Sequence, residues 1–228
     1  MQMQVQIQAG SGTYAPFVPW KCQEEMIDNI QSDGLVVVAH CRAAGITTTM
    51  MAYLLWYCTF NPNSKVMVLI PKHASLREAM MLFADMHDNL DQWVQQKVRY
   101  SSARHTEFAN GASVYFQLAD ARAAHGISID VLYLADFAFV PEDEQLNVMV
   151  AVAPNMVQGG KLIATSTPNA KGDVFQDMWE NIALGMVPGI AQRITYHELP
   201  MASMAGWAQL LTMLGDDTAN REYGAQFV

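Results

Sequence analysis

Positive charge is scarce in this sequence. Its 228 residues include 13 Lys and Arg against 22 Asp and Glu, which gives a formal net charge of -9. Proteins that bind nucleic acid irrespective of sequence gain most of their affinity by neutralising phosphates with cations. The cations here are scattered along the chain: Lys65, Lys72, Arg77, Lys97, Arg99, Arg104, Lys161 and Lys171. This distribution argues against tight DNA binding by the isolated chain.

Cysteine pairs and long apolar runs are missing as well. The three cysteines, Cys22, Cys41 and Cys58, form no C-x-x-C motif, a pattern that fits buried thiols in a reducing compartment. Cys41 lies beside Arg42, so its pKa could be lowered, although a small loop residue is the simpler interpretation. The six histidines show no spacing typical of zinc sites. No uninterrupted apolar run approaches the roughly 18 residues of a membrane span, so the sequence predicts no membrane segment.

The N-terminal segment reads M-Q-M-Q-V-Q-I-Q-A-G-S-G and lacks the basic region of a signal peptide. Its strict alternation could add an edge strand to a sheet, but we interpret residues 1–19 as a flexible arm or an expression remnant. Residues 20–228 contain no repeat or low-complexity tract. They are numerous enough for one domain with an ample core.

Residues 40–48, H-C-R-A-A-G-I-T-T, have the position of a phosphate-binding loop and are called the phosphate loop below. A buried strand is predicted before them and a buried helix after them, and Gly45 suits the tight turn between the two. Thr47 or Thr48 offers a hydroxyl where the G-K-[ST] motif has its magnesium ligand. Ile46 stands where that motif has lysine, so Arg42 is the fixed cation of the loop, with His40 a weaker possibility. Taken alone, a Gly turn between a strand and a helix is common in α/β proteins.

Two later segments strengthen the case for a nucleotide site. The strand V-L-Y-L-A ends in Asp136, where phosphate-loop ATPases place an Asp-Glu pair that holds magnesium and orients the attacking water. Here that pair reads Ala135-Asp136, so one carboxylate survives of two. A further strand runs into the hydroxyl-rich turn Thr165-Ser166-Thr167, and open parallel sheets bind ligands at such strand ends.

The order of these segments resembles the ATPase domain of the large terminase subunit of tailed phages, in its T4-like branch. The matching motifs are P-W-K-C-Q at 19–23, C-R-A-A-G-I-T-T, V-L-I-P-K-H, F-A-N-G-A-S-V-Y-F, H-G-I-S, Y-L-A-D-F-A-F-V, T-S-T-P-N-A-K-G and the final R-E-Y-G-A-Q-F-V. The likeness extends over nearly the whole chain from about Trp20. Its specificity lies in the succession of motifs rather than in any one of them.

The resemblance implies ATP and Mg²⁺ as ligands and assigns roles to individual residues. The expected nucleotide-binding residues are Gln23, which would read the adenine, and Cys41, Arg42, Ala43, Ala44, Gly45, Ile46, Thr47 and Thr48. Thr47 and Asp136 would hold the metal, and Asp136 and Arg42 would take part in catalysis. Thr165, Ser166 and Thr167 occupy the motif that couples hydrolysis to movement.

Four departures from the family pattern lie at positions that the family uses for its chemistry. Ile46 replaces the loop lysine, Ala135 the magnesium aspartate, Asp136 the catalytic glutamate, and His125 an arginine often found before the glycine of H-G-I-S. Losing one preorganised charge costs on the order of 10²–10³ in rate. The sequence therefore predicts a terminase ATPase domain whose hydrolysis is impaired or absent.

Three functions of different classes remain open. The first is a packaging ATPase that turns over slowly, with Arg42 and Asp136 taking over the lost charges. The second is a catalytically dead homologue that acts as a structural or regulatory subunit, in a ring with active subunits or in another assembly. The third is an α/β domain that shares only the scaffold and functions through an interface, because fold does not fix function.

The resemblance also implies partners and a location. Double-stranded DNA, the portal and the small terminase subunit are the expected partners, with a homo-oligomeric ring as the assembly and the cytoplasm of an infected bacterial host as the place. By this resemblance we expect the nuclease domain of the family to be absent here, with the sequence ending where the linker to it would begin. An expressed fragment and a naturally short protein both fit this observation.

The predicted fold class is α/β: a phosphate-loop NTPase (RecA/ASCE-like) fold of three layers, with a mainly parallel sheet between helices. Strands are predicted near residues 35–39, 66–70, 113–118, 131–134, 162–165 and 192–197. Helices are predicted near residues 23–31, 48–60, 75–89, 144–153, 173–184 and 205–215. The dipeptide Asn110-Gly111 predicts a turn between two antiparallel strands.

Overall fold

Eight strands form the central sheet of the protein. The computed structural model describes residues 4–8, 13–120, 122–123, 126–169 and 171–228. The strands of the sheet are β3 (Leu35–His40), β4 (Lys65–Ile70), β5 (Val98–Ser102), β6 (His105–Phe108), β7 (Ser113–Leu118), β8 (Ile129–Ala135), β9 (Met156–Ser166) and β10 (Ile190–Ile194). Their order is β10-β3-β9-β8-β4-β7-β6-β5. The first six run parallel, and β6 and β5 complete one edge as antiparallel strands.

Helices cover both faces of the sheet. They are α1 (Lys21–Ser32), α2 (Ile46–Phe60), α3 (His73–Asp88), α4 (Glu142–Val152), α5 (Val174–Ala183), α6 (Met204–Leu214) and α7 (Asp216–Glu222). Successive strand residues face opposite sides, so β3 sends Val36 and Val38 into the core beneath α1, α2 and α3. Val37 and Ala39 enter the second core, beneath α4 and α5. The predicted three-layer α/β fold is confirmed.

Most predicted elements lie within a few residues of the observed ones. The turn at Asn110-Gly111 joins antiparallel β6 and β7, where the Phe108 N–H donates to the Ala112 carbonyl at 2.8 Å. The predicted strand at 192–197 is wrong at its end. There β10 stops at Ile194, and residues 196–198 form a 3₁₀ turn whose Glu198 carboxylate accepts the Thr195 N–H at 2.6 Å.

The segment predicted to be an N-terminal arm is paired in its described part. Strands β1 (Gln6–Gln8) and β2 (Tyr14–Pro16) form a separate two-stranded antiparallel sheet, so β1 does not extend the central one. Val5 is buried in the core, and the Tyr14 hydroxyl donates to Asp85 of α3. The described residues of the arm therefore pack against the domain. Residues 1–3 and 9–12 of the arm lie outside the described residues, as do His125 and Ala170 of the quoted motifs.

Two further sequence features have structural roles. The ammonium group of Lys161 donates to the carbonyls of Ile30 and Asp33 at 2.7 and 3.0 Å, which satisfies the C-terminal end of α1. Asp173 accepts the N–H of Gln176 at 2.8 Å and begins α5 as its N-cap.

Among the described residues, no helix combines the length and the apolar character that crossing a membrane requires.

Candidate functional site

One cleft opens where the carboxyl ends of β3, β9, β8 and β4 lie side by side. It has a volume of about 410 Å³ and is lined by His40, Arg42, Ala43, Pro71, Lys72, Ser75, Asp136, Phe139 and Thr167. Each of the four strands, or the turn that follows it, contributes at least one of these residues. Ligands of open parallel sheets bind at this edge, so the cleft is the candidate site.

The phosphate loop has the backbone shape that its sequence predicts. Gly45 begins α2 with φ +68°, a left-handed conformation that glycine adopts without strain. A Cβ at this position would lie 2.7 Å from Nε2 of Gln23. Ala43 is also left-handed, with φ +61°. The first turn of α2 leaves N–H groups without helical partners, and these suit an anion.

The side chain of Gln23 holds this loop in place through hydrogen bonds. Its side chain is 2% exposed. Its Nε2 donates to the Ala44 carbonyl at 2.8 Å, and its Oε1 accepts the Trp20 N–H at 2.9 Å. The amide thus ties the loop to the start of α1. A contact between Gln23 and adenine stays a prediction.

Arg42 is already paired with a carboxylate. Its Nε lies 2.5 Å from Oε2 of Glu222, and its backbone N–H donates to the Glu222 carbonyl at 2.8 Å. The Glu222 side chain is 11% exposed and also accepts from Arg221 at 3.2 Å. The cation that the sequence assigns to the phosphate loop is therefore held by the last segment of the chain, although its side chain remains 55% exposed and shares the Glu222 carboxylate with Arg221.

Ile46 and Ala135, which are expected to stand in place of the family lysine and aspartate, point into the core. Ile46 is 4% exposed and Ala135 is 6% exposed, and both belong to the same hydrophobic cluster. Thr47 is exposed and Thr48 half-buried at the first turn of α2. Neither threonine is among the residues that line the cleft.

Asp136 is the carboxylate that the structure places in the cleft. It directly follows β8, is half-buried, and has φ +49° and ψ +40°. Aspartate is among the residues that tolerate this left-handed conformation. No other carboxylate occurs among the described residues that line the cleft.

His40 and Cys41 supply no charge at neutral pH. Burial lowers the pKa of His40, against a smaller opposing effect of its hydrogen bond to the Cys41 carbonyl and of the Asp136 charge. Burial raises the pKa of Cys41 to about 12. The lowered pKa considered for Cys41 is therefore wrong, because desolvation outweighs any neighbouring cation.

The three residues expected to form the coupling motif divide between the sheet and the cleft. The Thr165 hydroxyl lies 3.0 Å from the Tyr133 hydroxyl of β8, and the Ser166 hydroxyl accepts the Ala138 N–H at 3.2 Å. Thr167 lines the cleft. The pair Thr165 and Ser166 thus joins the end of β9 to β8 and to the turn that follows Asp136.

Sequence reasoning missed Lys72, Ser75 and Glu222. Lys72 follows β4, and its ammonium group lies 5.4 Å from the centroid of the Phe139 ring. Its position after a parallel strand was the available signal, because ligands bind at such strand ends. No local pattern could reveal the Glu222 pair with Arg42, since the two residues are 180 positions apart.

The strand order identifies the class of protein. The phosphate-loop strand β3 and the acidic strand β8 are separated by β9, and the cleft lies at their carboxyl ends. The domain thus has the phosphate-loop (ASCE) fold of terminase ATPase domains. More particularly, the chain belongs to the family described as the terminase large subunit, T4likevirus-type, N-terminal, whose model matches residues 39–227.

Solved structures of large terminases share this fold. The large terminase of bacteriophage HK97 is 14% identical with a TM-score of 0.75 over 92% of this chain and 51% of that chain. The large terminase of a thermophilic bacteriophage, solved in complex with ADP, is 15% identical with a TM-score of 0.70 over 92% and 54%. The ATPase domain from Thermus phage P74-26 is 13% identical with a TM-score of 0.68 over 93% and 95%. The chain thus spans about half the length of the first two of these proteins.

Proposed function

We propose that this chain is the nucleotide-binding domain of a DNA-packaging terminase whose ATP hydrolysis is impaired or absent. The observation that carries the proposal is the composition of the cleft. It keeps a phosphate loop and one carboxylate, Asp136, whereas Ile46 and Ala135 lie in the core.

The residues of the cleft suit the phosphates of a nucleotide. Arg42 and Ala43 line the cleft, and the N–H groups at the start of α2, three residues further along the chain, favour anions. Asp136 would hold Mg²⁺, because hard oxygen donors suit this ion, whereas Thr47, the other expected ligand, lies outside the lining of the cleft. When bound, Mg²⁺ would supply charge neutralisation between the phosphates. The large terminase of the thermophilic bacteriophage was solved with ADP, which supports the same ligand class here.

Hydrolysis should suffer more than binding. One carboxylate cannot both hold the metal and orient the attacking water, and Asp136 stands alone among the described residues of the cleft. Loss of a single preorganised charge costs on the order of 10²–10³ in rate, although several such losses are not additive. The shape of the loop, which favours binding, is retained.

Two measurements on the whole chain test this function. Calorimetry should detect ATP binding that depends on Mg²⁺, and steady-state phosphate release should be far below the roughly 10 s⁻¹ of a typical enzyme. The variant with Ile46→Lys, Ala135→Asp and Asp136→Glu should release phosphate faster than the wild type, provided that circular dichroism shows it folded. Release by the wild type at rates typical of enzymes would disprove the proposed impairment.

A second candidate is a catalytically dead homologue with a structural or regulatory place in a packaging assembly. The ion pair between Arg42 and Glu222 favours it, since that pair occupies the cation of the loop. If calorimetry detects no ATP binding, this second candidate is favoured. The first candidate requires nucleotide binding and is then excluded.

The partners of either candidate are those of a packaging motor. In this proposal they are double-stranded DNA, the portal, the small terminase subunit and further copies in a ring, within the cytoplasm of an infected bacterial host. A net charge of -9 means that the chain itself contributes little phosphate neutralisation to DNA binding. Filter binding of duplex DNA at about 50 mM salt should therefore show weak retention.

A further inference from the structure

We infer that Lys72, at the end of β4, is the phosphate-binding cation of this cleft and takes the place of the lysine that the phosphate loop lacks. The inference rests on the proposed function, because it needs a nucleotide in the cleft. Its ligand is the phosphate chain of that nucleotide.

The sheet brings Lys72 to the acidic side of the site. Strand β4 pairs in parallel with β8, with Leu69 opposite Leu134 in the register. Both chains leave the sheet at the same edge, so Lys72 and Asp136 enter the cleft together. The Lys72 ammonium group lies 5.4 Å from the centroid of the Phe139 ring, three residues after Asp136. An aromatic face at this distance attracts a cation and orients it.

The other basic groups of the cleft already have partners. Nε of Arg42 is paired with Glu222, and Nδ1 of the buried His40 lies 3.1 Å from the Cys41 carbonyl oxygen. Within the described part of the chain, no carboxylate lies within ion-pair distance of Lys72. The exposed ammonium group is therefore available to a ligand, and the long flexible stem of lysine lets it follow a phosphate.

The surroundings of Lys72 also favour an anion. Lys72 is the N-cap of the 16-residue helix α3, and Ser75 in the first turn of that helix lines the cleft. Ala43 of the phosphate loop lines the same space. The N-terminus of α3 and the exposed ammonium group of Lys72 thus border one volume of about 410 Å³.

The test is a set of affinities for ATP with Mg²⁺, measured by calorimetry on the full chain. A hydrogen bond to a charged group has a strength that corresponds to about 10- to 100-fold in affinity. Lys72→Met should therefore bind ATP about 10- to 100-fold more weakly than the wild type. Lys72→Arg should stay within a few-fold of the wild type, because it keeps the charge.

The matched control is Lys65→Met, which removes a lysine from the opposite end of the same strand. It should leave the affinity unchanged, and all three variants should keep the wild-type unfolding midpoint. In the Ile46→Lys background, Lys72→Met should cost less than it does alone, since a second cation is then present.

Three outcomes would overturn the inference. If the wild type binds ATP and Lys72→Met binds it equally well, Lys72 is not the cation and the proposed function stands. If Lys65→Met loses as much affinity as Lys72→Met, the effect is one of general charge rather than of a site. If the wild type binds no ATP, the nucleotide-binding function and the role of Lys72 fail together.

Discussion

The two sides of the cleft differ in whether their charged side chains already have partners within the protein. On the side of β3, the phosphate loop keeps its backbone shape, its Ala44 carbonyl accepts from Gln23, and its cation Arg42 is paired with Glu222. On the side of β4 and β8, Lys72 and Asp136 line the cleft and form no ion pair with described residues.

This difference means that the residues that shape the loop are distinct from the charged residues that are free to bind a ligand. Backbone shape depends on glycine, on buried hydrogen bonds and on core packing, and these are intact around the loop. Electrostatic stabilisation depends on a few free charges, and the described charges without an ion pair in this cleft, Lys72 and Asp136, lie on the other side. Changes on the β3 side should therefore alter stability, whereas changes on the β4 and β8 side should alter ligand binding.

The largest effect is expected from Gln23→Leu. This change leaves the buried Ala44 carbonyl and the Trp20 N–H without their partners, at a cost of about 2–4 kcal/mol in the free energy of unfolding. Urea unfolding measures it. The control is Gln31→Leu on an exposed position of the same helix, which should change stability by less than about 0.5 kcal/mol. Equal effects of the two changes would show that Gln23 does not brace the loop.

A smaller loss is expected from Gly45→Ala. The left-handed backbone alone costs alanine about 1–2 kcal/mol, and the new Cβ would also press on Gln23. Gly159→Ala is the matched control, because Gly159 has φ +79° with nothing within 4 Å of the added carbon. The difference between the two variants in urea unfolding isolates the contact with Gln23. If Gly45→Ala costs no more than the control, that contact is loose enough to relax.

The sequence predicted the parts of this cleft that depend on local patterns. The buried strands β3, β4 and β8 are continuous apolar runs, and the phosphate loop and Asp136 follow two of them directly. Their common edge follows from parallel pairing. The three-layer fold therefore followed from the sequence, and the use of this edge of the sheet as a nucleotide site stays a prediction.

The missed parts lack such a pattern. All five residues of β5 are exposed, so no apolar alternation marks it, and the start of β9 is interrupted by Gly159 and Gly160. The pairing of Arg42 with Glu222 arises only because α7 ends beside the phosphate loop. Contacts between distant segments depend on packing, which a single sequence does not display.

The stability of the β3 side should depend on pH through His40. Burial holds its pKa in the folded protein below the ordinary 6.5, so the unfolded chain takes up a proton first as pH falls. Its contribution to stability is thus fully present above about pH 6.5 and is lost below it, with a slope of at most about 1.4 kcal/mol per pH unit.

Urea unfolding between about pH 7.5 and 5, without metal, measures this dependence. His40→Gln should flatten it, whereas His73→Gln at an exposed position should leave the wild-type slope. Asp136 raises and Arg42 lowers the pKa of His40, and each acts less strongly than burial. Neither charge alone should therefore reverse the direction of the pH dependence. An unchanged slope in His40→Gln would mean that other groups cause the acid sensitivity.

The smallest expected effect tests whether Arg42, on the β3 side of the cleft, can also contribute to ATP binding. Glu222→Gln removes the charge that pairs with Arg42 and leaves its guanidinium free to turn toward the cleft. Because the Arg42 side chain is 55% exposed, solvent screens the pair to about 1 kcal/mol or less, so ATP affinity should rise about two- to five-fold in calorimetry. Adding Arg42→Met to Glu222→Gln should abolish this gain, because the released cation is then gone. If Glu222→Gln binds no better than the wild type, Arg42 cannot reach the ligand, and the β3 side contributes only the shape of its backbone.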